Sequence, residues 1–329
     1  MTEVDKSDSM GKRIERSHLP RIAFRKSQRR DAVFYLAAFS AAALSWVVRL
    51  VPDTFVDLVA KRIGDLSYLI SKSWRASVDS NISHVLDQPP GSARVRRTTR
   101  AIFQTNALNV VTMLRGPHQS PQELLEGTQV LRGDWSIVEE AMNKGDGVIV
   151  LTAHLGSFDT MGSAISARGY PIAAITTKTT NRFTFEFISF LRAAHNLKLI
   201  EASSAGVREA IEWVRAGNLL CLLSDRDFFL NGIHVDFFGE PTTLPIGAVR
   251  IARDTGATIV PIFTLRHGCK HALMIEQPFV VERTTDRADD VRIGMQRVIA
   301  ALQGAIEIAP EQWVMFQQVW PDDEPAPMA

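Results

Sequence analysis

An α/β fold is predicted for this chain: a mixed, largely parallel central sheet flanked by helices. Two observations predict it. From about residue 134, short apolar runs of strand length alternate with segments of helical period, as expected of a sheet covered on both faces. Glycine also follows four of the expected helices, at Gly145, Gly169, Gly217 and Gly256, where a left-handed residue lets the chain turn into the next strand.

The predicted order begins with a helix over 134–144 and a strand over 148–153. A helix at 157–168, a strand at 171–176, a helix at 182–195 and a strand at 197–201 follow. Next come a helix at 205–216, strand 218–224, helix 245–255, strand 257–265, strand 271–276 and a last helix at 287–308. Ahead of these lies a helical part. Residues 53–86 carry Phe55, Val59, Ile63, Leu66, Ile70 and Trp74 at steps of three and four, the mark of an amphipathic helix. A second helix spans 94–114, with Arg94, Arg96, Arg97 and Arg100 near its start. Arginines at that end oppose the helix dipole, so either an external anion or a solvated charged face is expected there.

The chain divides into a basic tail (1–31), an apolar segment (32–52), the helical part (53–116), the α/β part (117–320) and a short tail (321–329). The first 31 residues hold nine Lys or Arg against five Asp or Glu, a local charge of +4. Directly behind them, 32–48 carries no charge. At 1.5 Å per residue it reaches about 25 Å, short of a hydrocarbon core of about 30 Å. A cleaved leader and a spanning helix are both open. An interfacial anchor, with the basic tail on anionic headgroups, needs neither cleavage nor a flip and is the reading adopted. The overall charge of +1 gives no case for nucleic acid. Cys221 and Cys269 lie in apolar runs and read as reduced core thiols, without zinc or disulfide spacing.

Chemistry concentrates at 148–159, VIVLTAHLGSFD. The run reads as a buried strand that delivers His154 to the carboxyl edge of the sheet, where sites form in such folds. Asp159 would stand in the first turn of the next helix, close enough to orient the imidazole as a general base. A structural histidine and a metal ligand are the rival readings. Ser157 and Ser224 lack the nucleophile elbow, and no phosphate-binding glycine loop occurs. The other strand ending in conspicuous residues is 218–224, followed by Asp225-Arg226-Asp227. For Asp225 and Asp227 a turn-forming role is expected ahead of catalysis. The stretch 225–247 is rich in Phe (Phe228, Phe229, Phe237, Phe238), either as core or as the lining of an apolar channel. Phe183, Phe185, Phe187 and Phe190 crowd another helix, and Pro245 to Gly247 opens a helix whose free amides could take an anion.

The HLGSFD block resembles the HX4D/E motif of the glycerolipid acyltransferases. Within them the chain looks like the branch holding late lipid A acyltransferases and phosphatidylinositol mannoside acyltransferases. Lys178 with Asn181, then Arg192, the DRD…VDFFGEP block at 225–241, PIGAVRIARDTGATIVPIF at 245–263 and PEQWVMF at 310–316 fall in family order. The likeness covers about Arg75 to Trp320 plus the apolar segment. Asp at 159 and the DRD…VDFFGEP block look more like the mannoside branch. Ser157-Phe158 stands where Asn-Trp is usual, Lys178 where Arg is common, and Gln317-Gln318 replaces a basic pair.

The resemblance implies a membrane-associated O-acyltransferase. It would move a fatty acyl chain from acyl-CoA or acyl carrier protein to a hydroxyl of a glycolipid or phospholipid, with no cofactor beyond the donor. It implies a peripheral or monotopic enzyme at the cytoplasmic face of the cytoplasmic membrane. His154 would be the base and Asp159 its orienter, with an oxyanion held by amides near Gly156 or by Arg192. Substrate contacts are expected from Gly156, Lys178, Asn181, Arg192, Asp225, Arg226, Asp227, Phe237, Phe238 and Gly239. A lipid A-type acceptor, a non-catalytic lipid-binding protein and a hydrolase using water are the alternatives.

Overall fold

The computed structural model describes residues 32–176, 181–192, 197–228, 230–268 and 270–321. The basic tail, Lys178, Phe229, Cys269 and residues 322–329 lie outside the described residues.

Seven strands form the central sheet: β1 (Thr128–Arg132), β2 (Val148–Thr152), β3 (Ile172–Thr176), β4 (Lys198–Glu201), β5 (Leu219–Leu223), β8 (Thr258–His267) and β9 (Lys270–Ile275). Their spatial order is β1-β9-β8-β2-β5-β3-β4. β8, β2, β5, β3 and β4 run parallel; β9 turns back antiparallel to β8 and carries β1 parallel to itself. The α/β fold with a mixed, mostly parallel sheet is therefore the observed one. The remaining two strands, β6 (Ile233–Phe237) and β7 (Glu240–Leu244), form a separate hairpin.

Alternation along β2 shows how the sheet is covered. Val148 and Val150 face α6 (Ser136–Asn143) and α7 (Phe158–Ala167), in a cluster with Val138, Met161 and Ile165. Ile149 and Leu151 face the opposite side, against α9 (Ser204–Arg215), α10 (Gly247–Thr255) and α11 (Arg287–Ile308). Both faces are buried, which is why β2 reads as an unbroken apolar run rather than an alternating one. The four helix-ending glycines all have φ between +80° and +90°.

The helical part begins with α1 (Ala32–Leu50), α2 (Asp53–Ile70), α3 (Lys72–Leu86) and α4 (Ala93–Arg115), and the short α5 (Pro121–Glu126) leads to β1. The expected single helix over 53–86 is two helices, broken at Ser71. Val78 and Ile82 of α3 and Val95, Ile102 and Phe103 of α4 join the same apolar cluster as the sheet. The stripe predicted on α2 points outward: Phe55, Val59, Ile63, Leu66, Ile70 and, on α3, Trp74 are all exposed. α2 turns inward Val56, Ala60, Gly64, Asp65 and Tyr68, with Asp65 bonded to Arg100 of α4 at 2.8 Å and 2.9 Å. Among the four arginines at the start of α4, Arg100 thus meets an internal carboxylate, and Arg96 donates to the Gly91 carbonyl.

α1 has two unlike faces. Ala37, Ala41, Ser45 and Val48 are buried, and the Ser45 hydroxyl donates to the Leu114 carbonyl of α4. Ala41 and Val48 share a cluster with Leu108, Val111 and Leu114 of α4 and with Leu191 of α8 (Arg182–Arg192). Tyr35, Leu36, Phe39, Leu44, Trp46, Val47 and Leu50 are exposed on the other side.

Candidate active site

Parallel pairing of β2 with β5 builds the site. Thr152 lies opposite Leu223, and the Ser224 N–H donates to the Thr152 carbonyl at 3.0 Å. Two residues further on, His154 and Asp225 emerge side by side at the carboxyl edge of the sheet. The Asp225 carboxylate grips His154 twice. Oδ1 meets the ring Nδ1 at 2.9 Å, and Oδ2 accepts the His154 backbone N–H at 2.8 Å. Oδ2 also accepts the Trp313 indole N–H at 2.9 Å.

Asp225 is fully buried, while the His154 side chain is 28% exposed. Burial alone would raise the Asp225 pKa. The adjacent His154, the bonds from its ring and backbone and the Trp313 N–H outweigh burial and hold the carboxyl below its ordinary range. With Nδ1 against an ionised carboxylate, a neutral ring carries its proton there and leaves Nε2 as the acceptor. Phe158 leans edge-on against the ring at 5.2 Å between centroids.

The loop between His154 and α7 is clamped from behind by the segment 310–316. The Val314 N–H donates to the His154 carbonyl at 2.7 Å, and the Gly156 N–H donates to the Gln312 carbonyl at 2.9 Å. Asn109 of α4 donates to the Gly156 carbonyl at 2.7 Å. Gly156 has φ +54°, and a β-carbon there would sit 2.1 Å from the Thr264 carbonyl oxygen, so only glycine fits between the loop and β8.

The expected partner of His154, Asp159, is elsewhere. Its Oδ1 accepts Arg192 Nε at 2.7 Å, tying the first turn of α7 to the end of α8. The imidazole contact expected from Asp159 is made by Asp225 instead, from the end of the neighbouring strand β5, while Asp159 is committed to Arg192. Gly156 is equally committed, since its amide and carbonyl are both bonded within the protein. Asp227 accepts the amides of Asn231 and Gly232 at 3.3 Å and 2.7 Å, the turn-forming role expected of it. Asn181 caps α8, accepting the Thr184 amide at 3.2 Å.

Arg226 is partly buried, with its guanidinium 5.0 Å from the Phe228 ring centre; burial draws its pKa below the usual value and Asp225 opposes that. Phe237, expected on an apolar channel, is wholly buried, stacked on Trp320 at 5.6 Å and edge-on to Trp313. Phe238 and Gly239 form the turn between β6 and β7, both with positive φ, +55° and +79°. That pair of left-handed residues marks a tight hairpin, whose usual signature is Asn-Gly.

Ser157 is no exposed nucleophile: its hydroxyl lies 2.7 Å from Nδ1 of buried His271. Burial, aided by Arg266 and Arg115, lowers the His271 pKa to about 4, so the ring is neutral. Among the described residues no group of three His, Cys, Asp or Glu side chains could hold a metal ion. Trp313 is the site residue that the sequence did not single out. Its only signal was membership of the PEQWVMF block.

Comparison with known proteins finds acyltransferases of similar sequence. The chain is 24% identical to a phosphatidylinositol mannoside acyltransferase of Mycobacterium tuberculosis over 213 residues, covering 63% of this chain and 65% of that protein. It is 22% identical to a phosphatidylinositol mannoside acyltransferase of Mycolicibacterium smegmatis over 250 residues, 73% of this chain and 77% of the relative. It is 26% identical to the lipid A biosynthesis myristoyltransferase of Escherichia coli over 252 residues, 74% of each. The family model for bacterial lipid A biosynthesis acyltransferases matches residues 24–321, and with nine-tenths of its length so matched this chain belongs to that family.

Proposed function

We propose that this protein is a membrane-bound O-acyltransferase in which His154 acts as general base and Asp225 holds its ring. The donor is an acyl thioester, acyl-CoA or acyl carrier protein, and the acceptor is a hydroxyl of a glycolipid. The observation that carries this reading is the His154–Asp225 pair at the carboxyl edge of the sheet, with a buried carboxylate on one ring nitrogen and the other nitrogen without a partner among the described residues. A lipid hydroxyl is a poor nucleophile at neutral pH. Nε2 takes its proton as the oxygen attacks the thioester carbonyl, and Asp225 stabilises the imidazolium that forms. Collapse of the tetrahedral intermediate expels the thiolate, which regains a proton from the ring. The intermediate's oxyanion needs donors. The Gly156 amide is already engaged, so the first amides of α7, at Phe158 and Asp159, are the candidates, with the positive end of the helix dipole behind them.

Asp159 enters this reading through Arg192: the pair fixes where α7 begins relative to α8. The outward apolar faces of α1 and α2 support a membrane-seated enzyme. Burial of the other face of α1 supports an interfacial anchor over a free-standing span or a cleaved leader. The relatives named for phosphatidylinositol mannoside acylation and for lipid A biosynthesis match at comparable identity, and a lipid is common to both names. The test is His154→Ala, purified and assayed for thiol release from acyl-CoA with and without membrane lipid. Transfer should vanish with the fold intact. Near-full activity in that variant would sink the mechanism, and thiol release independent of any acceptor would mark a hydrolase instead.

A further inference from the structure

We propose that Trp313 is a positioning residue for the base: its indole N–H fixes the rotamer in which the Asp225 carboxylate faces the His154 ring. The inference rests on the reading of His154 as base. A carboxylate without access to solvent depends on the protein for every hydrogen bond. Asp225 has two oxygens with separate tasks. Oδ1 serves the ring, and Oδ2 is held from two directions, by the His154 amide at 2.8 Å and by Trp313 Nε1 at 2.9 Å. The amide holds Oδ2 from the backbone at the end of β2. Trp313 supplies a second reference point, from a separate segment of the chain.

The reference point is itself rigid. Trp313 is wholly buried, edge-on to Phe237 and Trp320. Its backbone forms a bridge with Leu155, flanked by the bonds from Val314 and Gln312 to His154 and Gly156. Gln312 is locked to the Arg266 backbone through both its amide atoms, at 2.7 Å and 3.1 Å. Downstream, Asn81 of α3 ties the same segment at Met315, Gln317 and Val319. A segment more than 80 residues beyond Asp225 therefore reaches back to grip both members of the pair.

Trp313→Phe removes the donor and keeps most of the ring. Loss of a bond to the ionised carboxylate makes the pair more basic. The expected result is a kcat about tenfold lower with KM within twofold, and an acid limb of the kcat/KM profile moved up by about half a pH unit or more. Trp320→Phe perturbs the same aromatic cluster without touching Asp225 and should leave the limb in place. Should Trp313→Phe not fold, benzothienylalanine at 313 keeps the indole's size while replacing N–H by sulfur, and the same shift is expected. An unmoved limb in either folded variant overturns the inference, as does a limb that moves equally in Trp320→Phe. If His154→Ala is inactive while these variants behave as wild type, the inference alone fails; an active His154→Ala removes the base itself.

Discussion

Replacing Asp225 by Asn tests the site most sharply, because the hydrogen-bond geometry dictates which way the new amide must face. Two N–H donors converge on the Oδ2 position, from the His154 backbone and from Trp313, and a single ring nitrogen addresses Oδ1. An Asn carbonyl oxygen placed at Oδ2 keeps both donors satisfied and turns its NH2 toward the ring. Nδ1 must then accept, so the proton moves to Nε2, the nitrogen that has to receive the acceptor's proton. The opposite orientation would press an NH2 against two buried N–H groups, each left unsatisfied at about 1–3 kcal/mol. Wrong-tautomer substitutions of this kind lower kcat by about four orders of magnitude in the serine protease triad, which is about 5.5 kcal/mol of barrier. A loss of about a thousandfold or more is expected here, with KM little changed, in a thiol-release assay. Nitrogen NMR of the His154 ring should report the proton on Nε2. For Asp159→Asn, which loosens the Arg192 tie without touching the ring, the loss should stay below about a hundredfold, with the tautomer unchanged. Asp225→Asn retaining more than a tenth of wild-type activity, or an unaltered tautomer, would refute the reasoning.

Three further outcomes are expected. Gly156→Ala forces a β-carbon against the Thr264 carbonyl at φ +54°, and should cost about 3 kcal/mol or more, seen as a fall of about 5 °C or more in Tm; an unshifted melt would disprove the tight approach. His271 has a folded pKa of about 4 against an ordinary 6.5, so its contribution is fully present above pH 6.5 and is lost as pH falls toward 4, by roughly 3 kcal/mol. Urea unfolding of His271→Gln should show a correspondingly flatter acid slope, and an identical slope would exclude this origin. Phe39→Asp with Trp46→Asp should leave stability within about 1 kcal/mol, since both side chains are exposed, while weakening co-sedimentation with anionic lipid vesicles about tenfold or more. Unchanged sedimentation would count against this face as the one that meets lipid.

The alternating elements from 134 onward were legible because most strands are short apolar runs and four of the helices end at a glycine. His154 was legible for the same reason, as the residue on which one such unbroken apolar run ends. Its partner was not. Asp159 is five residues away in sequence and Asp225 seventy-one, and what joins Asp225 to the ring is the adjacency of β2 and β5, a property of strand order that periodicity does not carry. Both strand ends were conspicuous; only their neighbourhood was missing. The β6–β7 hairpin escaped because its turn is Phe238-Gly239, without the Asn or Asp that usually signals two left-handed residues. The break at Ser71 has neither Pro nor Gly to announce it. On α2 the period was read correctly, yet period does not say which face the protein keeps, and here the apolar one faces out.

The two-faced character of α1 bears on how a soluble form of the enzyme should be made. Deleting the first fifty residues would strip cover from Leu108, Val111 and Leu114 on α4 and from Leu191 on α8, next to the arginine that holds Asp159. Such a truncation trades one greasy surface for another and frees α8 to drift. Repainting the outer face of α1 with charge, and leaving Ala37, Ala41, Ser45 and Val48 alone, keeps the wall standing while removing its appetite for lipid.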